Sequence, residues 1–156
     1  MITLICSNYN SIKWINGYLD CLNSQTLEKF DVCFIDAGST DSSWEEIKHY
    51  KFRNGISCNF LLEEKCSIYE AWNIGYKNSK TKYCMNFNTD DRLFKNSLKI
   101  LCTYIKKYPN IDVFYSPCFV TKKEDHSNFS KLIDWPKFSK DQLLKECLCG
   151  PFPLVK

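Results

Sequence analysis

Tyr83-Cys84-Met85-Asn86-Phe87-Asn88-Thr89-Asp90-Asp91 is the stretch that decides how this chain folds and what it carries. Its first five residues have the length and apolar character of a buried strand, and the strand runs out into oxygen-bearing side chains. Two unit charges about 4 Å apart repel by roughly 4 kcal/mol at an effective dielectric near 20. Asp90 and Asp91 are therefore either solvated, as a surface turn capping the helix that follows, or neutralised by a cation. Hard divalent ions such as Mg²⁺ take one or two carboxylates and complete their shell with substrate phosphates.

A second punctuation mark of the same kind stands upstream. Val32-Cys33-Phe34-Ile35 leads into Asp36-Ala37-Gly38-Ser39-Thr40-Asp41. This segment reads as a tight turn with Gly38 at positive φ and Asp41 or Ser42 as the next helix cap, Glu45 completing a capping box with Ser42. Asp36 follows an apolar run, and its carboxylate needs donors, such as a nucleobase N–H or ribose hydroxyls. A third polar loop, Ser7-Asn8-Tyr9-Asn10, follows the apolar start at residues 2–6 and adds an aromatic face.

Between these marks strands and helices alternate. Strands are expected at 2–6, 32–36, 58–62, 83–87 and 112–120. Helices are expected at 11–22, from 42, at 66–78 and 95–107, with a short last one opening at Ser139. On 66–78, Ile68, Ala71, Trp72, Gly75 and Tyr76 fall at helical spacing on one face. Such alternation implies an α/β fold with a mostly parallel central sheet and helices on both faces. Ligands in these sheets bind beyond the carboxyl ends of the strands, where all three polar loops fall.

Composition narrows the classes. With 156 residues the chain is expected to be a single domain, and 44% hydrophobic with 25% charged residues is ordinary for a globular one. A net charge of +3, with Lys and acids interspersed, excludes an argument for nucleic acid or an anionic membrane. Lys106-Lys107, Lys122-Lys123, His49 and His126 read as surface. Ten cysteines show no Cys-x-x-Cys spacing, which removes the usual zinc and redox motifs. Cys6, Cys33, Cys84 and Cys118, inside expected strands, read as small hydrophobes, the free thiols point to a reducing cytoplasm, and Cys147-x-Cys149 fits none of these readings. No transmembrane segment and no charged leader for a signal peptide are expected. Gly-x-Gly-x-x-Gly, Gly-Lys-Ser/Thr and Gly-x-Ser-x-Gly are missing from the sequence, against dinucleotide oxidoreductases, P-loop enzymes and α/β-hydrolases.

Five segments in order carry a resemblance: residues 2–10, Asn23-Ser24-Gln25-Thr26, residues 35–41, Ser67-Ile68-Tyr69-Glu70-Ala71-Trp72-Asn73-Ile74-Gly75, and residues 85–91. Together they resemble the family 2 glycosyltransferases of GT-A fold, in the bacterial O-antigen and polysaccharide branch. The resemblance implies a Rossmann-like sandwich in which residues 1–95 form the nucleotide-sugar-binding half and 96–156 part of an acceptor-side half. It implies an inverting, metal-dependent transfer of a sugar from a nucleotide-diphosphate donor to a glycan or lipid-linked acceptor. Ser7, Tyr9, Asn10 and Asp36 would lie at the nucleotide, Asn73 beside the diphosphate or sugar, and Asn88 and Asp90 at the donor. Asp90 and Asp91 would hold Mg²⁺ or Mn²⁺.

The sequence departs from the family pattern at three points. Ala37 stands where many members carry a second Asp that reads uracil, and Asn88 where many carry the first acid of the metal motif. The family's general base is an Asp far downstream, and the sequence provides no counterpart in the 65 residues after Asp91; neither Asp134 nor Glu146 is assigned that role. The chain is accordingly read as truncated before that residue. The alternative function is a catalytically inactive nucleotide-sugar-binding or interaction module.

Overall fold

The computed structural model describes residues 1–122 and 128–156. Lys123 and His126, read above as surface, lie outside the described residues. Strands β1 (Ile2–Asn8), β2 (Phe30–Asp36), β3 (Ile56–Leu62) and β4 (Tyr83–Asn86) pair in parallel in the order β3-β2-β1-β4. The helices between them are α1 (Ile12–Asn23), α2 (Ser43–His49) and α3 (Ile68–Asn78), and α4 (Ser97–Lys107) follows β4. Nearly every residue of β1 and β2 is buried, as expected of central parallel strands covered on both faces.

One face of the sheet carries the larger core. Tyr18, Leu19 and Leu22 of α1, Trp44 and Ile47 of α2 and Leu98 of α4 pack there on Leu4, Phe34 and Phe87. The opposite face carries a smaller cluster of Ile5, Cys33, Ile35 and Cys84 under Ala71 of α3. That helix comes very close to the sheet: a Cβ at Gly75 would lie 2.4 Å from Ile5 Cγ2, so only glycine fits. The buried face of α3 is correspondingly narrow. Ala71 and Gly75 are buried, whereas Ile68 and Tyr76 from the same spacing are exposed.

The chain moves from β1 to β3 in one direction and then crosses to β4 on the other side of β1. Strand order therefore reverses between β1 and β4, and the two carboxyl ends open a crevice there.

The expected strand at 112–120 is broken. Ser116-Pro117 separates β5 (Val113–Phe114) from β6 (Cys118–Thr121), because proline supplies no N–H to a ladder. Strand β5 stays with the main sheet, while β6 pairs antiparallel with β7 (Phe129–Ile133) in a separate two-stranded sheet. After the short α5 (Lys140–Leu143), β8 (Leu154–Val155) slots antiparallel between β4 and β5. All ten cysteines are free thiols, and burial pushes the Cys6 thiol up to about 12 and the Cys33 thiol up to about 11. Cys6, Cys21, Cys33 and Cys84 are buried as core hydrophobes, whereas Cys147 is exposed. Among the described residues no helix is long and apolar enough to cross a membrane.

Candidate functional site

The loops after β1 and β2 form one hydrogen-bonded unit. Register places Asn8 opposite Asp36 at the ends of their strands. Asn8 Nδ2 donates to Asp36 Oδ1 at 2.6 Å and to Ser43 Oγ at 3.0 Å, and Ser11 Oγ donates to Asn8 Oδ1. Asp36 is buried and its carboxylate is fully engaged by the protein. Oδ1 also accepts from Ser39 Oγ at 2.6 Å, and Oδ2 accepts from the backbone N–H of Gly38 at 3.1 Å and of Ser39 at 2.9 Å. The donors that this carboxylate requires come from its own turn.

The expected capping box at Ser42 does not form. Ser42 sits at φ 67° and makes no side-chain cap bond. Asp41 takes over, because the two oxygens of its carboxylate reach both helix starts: Oδ1 accepts from Ser43 Oγ at 2.6 Å, and Oδ2 from Ile12 N at 2.8 Å. A capping box does form at α3. Ser67 Oγ accepts from Glu70 N at 3.3 Å, and Glu70 Oε2 accepts from Ser67 N at 2.7 Å.

The acidic loop after β4 is fastened by Arg92. Its guanidinium donates to the carbonyls of Thr89 at 2.8 Å, Asp91 at 2.7 Å and Trp14 at 3.0 Å. Downstream, Gln25 Nε2 donates to Phe94 O at 3.1 Å and Thr26 N to Lys95 O at 2.8 Å, so the loop after α1 clamps the entry to α4. Gln25, polar in sequence, is a buried anchor.

Two cavities open beyond these strand ends. The first, of about 460 Å³, is lined on its polar side by Ser7, Asn8, Asn10, Asn88, Thr89 and Asp90. Trp14, Ile68 and Ala71 give it an apolar wall. The second, of about 800 Å³, lies beside Asp36, Ala37, Gly38 and Ser39 and extends to Lys48, Leu62 and Glu64. Tyr9, Ala37, Cys66 and Ser67 border both, so the two are continuous.

Of the residues singled out from sequence, Ser7, Tyr9, Asn10, Asn88 and Asp90 meet at the first cavity, and Tyr9 and Asp36 at the second. Asn73 is exposed on α3 and lines neither, since it faces away from Ile68 and Ala71. Asp91 also lines neither; it is half-buried beside Asp90. Desolvation, then the charge of Asp90, push its carboxyl up to about 7 against the pull of Arg92. Asp134 and Glu146 reach neither cavity.

The residues not foreseen are Trp14, Arg92, Cys66 and Glu64. Trp14 lies off the apolar stripe of α1 formed by Ile15, Leu19 and Leu22, and a large aromatic off the stripe was the available signal. For Arg92 the signal was a cation directly after two acids.

The donor set fits a divalent cation. Asn88 Oδ1 is buried without a hydrogen-bond partner. Among the described residues no Lys or Arg lines the first cavity, and Asp90 is the one charged group there. An anionic ligand there would meet net repulsion unless a cation stood between them.

Strand order, the crossover and the site at the switch point define a GT-A-type α/β fold. Residues 3–151 match the family described as glycosyl transferase family 2, and the chain belongs to that family. It is 29% identical over 121 residues to a teichoic acid poly(glycerol phosphate) polymerase of Staphylococcus epidermidis, covering 74% of this chain and 16% of that protein. It is 21% identical over 152 residues to a chondroitin synthase of Escherichia coli, covering 97% of this chain and 22% of that protein. The chain thus spans about a fifth or less of the length of these relatives. Among solved structures it superposes on S. aureus TarS 1–349 in complex with UDP with a TM-score of 0.70 at 24% identity, covering 78% of this chain and 37% of that one. It superposes equally, at 0.70, on the mannosyltransferase PcManGT of Pyrobaculum calidifontis in complex with GDP-Man and Mn²⁺. There the identity is 15%, covering 99% of this chain and 44% of that one.

Proposed function

We propose that this chain binds a nucleotide-diphosphate sugar across the two cavities and serves the transfer of that sugar to a glycan or lipid-linked acceptor in polysaccharide biosynthesis. The observation that carries this reading is the continuity of the cavities at Tyr9, Ala37, Cys66 and Ser67. A base and ribose in the larger space would pass their diphosphate over this saddle to the acidic loop. TarS with UDP and PcManGT with GDP-Man and Mn²⁺ are solved relatives in fold that hold such ligands.

Each part of the site has a definite task. Tyr9, 65% exposed at the saddle, offers its ring to a base. The N-terminus of α3 at Ser67 and Ile68 borders the saddle and favours negative charge there. Asn88 presents an unengaged oxygen, and Asp90, with Asp91 behind it, would hold Mg²⁺ or Mn²⁺. Among the described residues no three His, Cys, Asp or Glu side chains converge, so the remaining ligands would come from phosphate and water. A cation so held supplies neutralisation of the charge that grows on the departing nucleoside diphosphate. Transfer with inversion needs a base on the acceptor side, and we assign that role to no residue. Free thiols throughout fit a reducing cytoplasm.

Calorimetric titration with UDP- and GDP-sugars, with and without Mn²⁺, tests the proposal. Binding should require the cation and vanish in the Asp90→Ala, Asp91→Ala double variant. Binding of equal strength in that variant, or none in the native chain, would overturn it.

A further inference from the structure

The larger cavity contains an uncommitted carboxylate, and it is not Asp36. Resting on the donor-binding reading above, we infer that Glu64 reads the nucleobase and that the base it selects is guanine.

Among the described residues three acids line that cavity, Asp36, Glu45 and Glu64. Asp36 accepts four hydrogen bonds from Asn8, Gly38 and Ser39 and has no lone pair directed outward for a ligand. Glu45 is paired with Lys48 at 3.5 Å, and Lys48 in turn lies over the Trp44 ring at 5.7 Å. Position 37, next along the turn, is alanine and offers no side-chain acceptor. Glu64 remains. Among the described residues its side chain makes no hydrogen bond or ion pair.

The backbone presents Glu64 to the cavity. Glu63 N donates to Asp36 O at 2.8 Å, which carries the β2–β3 pairing one residue past the strands. The chain then turns at Glu64-Lys65, with Lys65 at φ 59°, and the Glu64 Cα stands 3.9 Å from where a Cβ of Gly38 would be. Glu64 thereby lines the cavity together with Leu62, 57% exposed, Tyr9 and Lys65. An aromatic ring, an apolar edge, a carboxylate and an ammonium are the groups a purine with both donors and acceptors requires.

The edges of the bases decide which one. Guanine offers N1–H and the exocyclic N2–H side by side, matching the two oxygens of one carboxylate in charge-assisted bonds. Its O6 and N7 are acceptors suited to an ammonium. Uracil offers a single N–H, enough for one bond to a carboxylate oxygen, and its flanking carbonyls leave the second oxygen in conflict. Adenine and cytosine each set a ring acceptor beside their amino group, with the same conflict. The structure therefore favours a guanosine-diphosphate sugar as donor.

The test is titration of the native chain and Glu64→Gln with GDP, UDP, ADP and CDP in the presence of Mn²⁺. The native chain should bind GDP about tenfold tighter than UDP, the scale of a partly exposed bidentate contact. Glu64→Gln should lose about that tenfold for GDP with little change for UDP, and its thermal midpoint should match the native one, because among the described residues the Glu64 side chain makes no hydrogen bond or ion pair. UDP binding as tightly as GDP, or a GDP preference untouched in Glu64→Gln, would overturn the assignment to Glu64 while leaving the donor reading intact. Failure of all four nucleotides to bind would remove the donor reading and this inference with it.

Discussion

Phe34 and Phe119 are both strand phenylalanines, and they divide the molecule. Phe34 is fully buried in β2, stacked on Phe60 at 5.7 Å and edge-on to Tyr18 at 6.4 Å. Phe119, in β6, remains 46% exposed and packs its ring on Phe94 and Phe129, which are exposed as well. The first region, β1 to β4 with its helices, buries its apolar residues on both sheet faces and directs its polar ones to one end. The second, from β5 onward, has short strands and leaves Val120, Leu132, Phe138 and Leu144 in the open. Every loop that lines the two cavities belongs to the first region. Binding geometry is thus built on the part of the chain that packing holds most firmly.

The sharpest way to break this contrast is at Asp36. Replacing it with alanine removes the acceptor of Ser39 Oγ and of two backbone N–H groups near the core and leaves Asn8 Nδ2 only its serine partners. The expected cost is about 3–5 kcal/mol, read by urea denaturation. A cost below about 1 kcal/mol would mean that the turn tolerates unmet donors and that the first region is no firmer than the second.

Asp91, where the acidic loop leaves the sheet, gives an intermediate effect with a definite pH sign. Its carboxyl, pushed up to about 7, stays protonated in the folded chain where the unfolded chain has already released the proton near its usual 3.8. The folded state therefore binds more protons between about pH 4 and pH 7, and its stability falls as pH rises through that window. Asp91→Asn should raise the metal-free stability at pH 8 by about 1–2 kcal/mol, after discounting for solvent screening, and change little at pH 5. Thermal melts at the two pH values check this, and a destabilised variant at pH 8 would contradict it.

The smallest effect is expected at Phe119. Phe119→Ala should cost less than about 1 kcal/mol, since half the ring already faces water. A cooperative loss of several degrees would show that the second region is as integral as the first.

These regions also differ in how far the sequence reveals them. In the first, periodicity and polar punctuation locate the strands, helices and binding loops, because each strand's burial is written in its own residues. What escaped was contingent on partners. Whether Ser42 or Asp41 caps α2 depends on the distance to Ile12, and Ser67-x-x-Glu70 is the same pattern as Ser42-x-x-Glu45 with the opposite outcome. Asp36 was legible as a carboxylate needing donors, but which donors it finds is decided across the β1–β2 register. Asn73 shares a helix with Ile68 yet points elsewhere, a matter of angle rather than of composition. In the second region, β8 is two residues between a proline and the final lysine and enters the sheet antiparallel. Nothing local encodes that, nor that Pro117 would send β5 and β6 to different sheets.

The hydrogen bonds by which Arg92 holds the acidic loop all end on peptide oxygens, so they require no particular side chain at positions 14, 89 and 91. The invariant parts of that mooring are the arginine and the bare backbone beneath it, where a methyl on Gly17 would stand 2.7 Å from Nη2. Residues 88–91 form, in effect, an exchangeable cassette: their chemistry can be rewritten while their place in the molecule is kept.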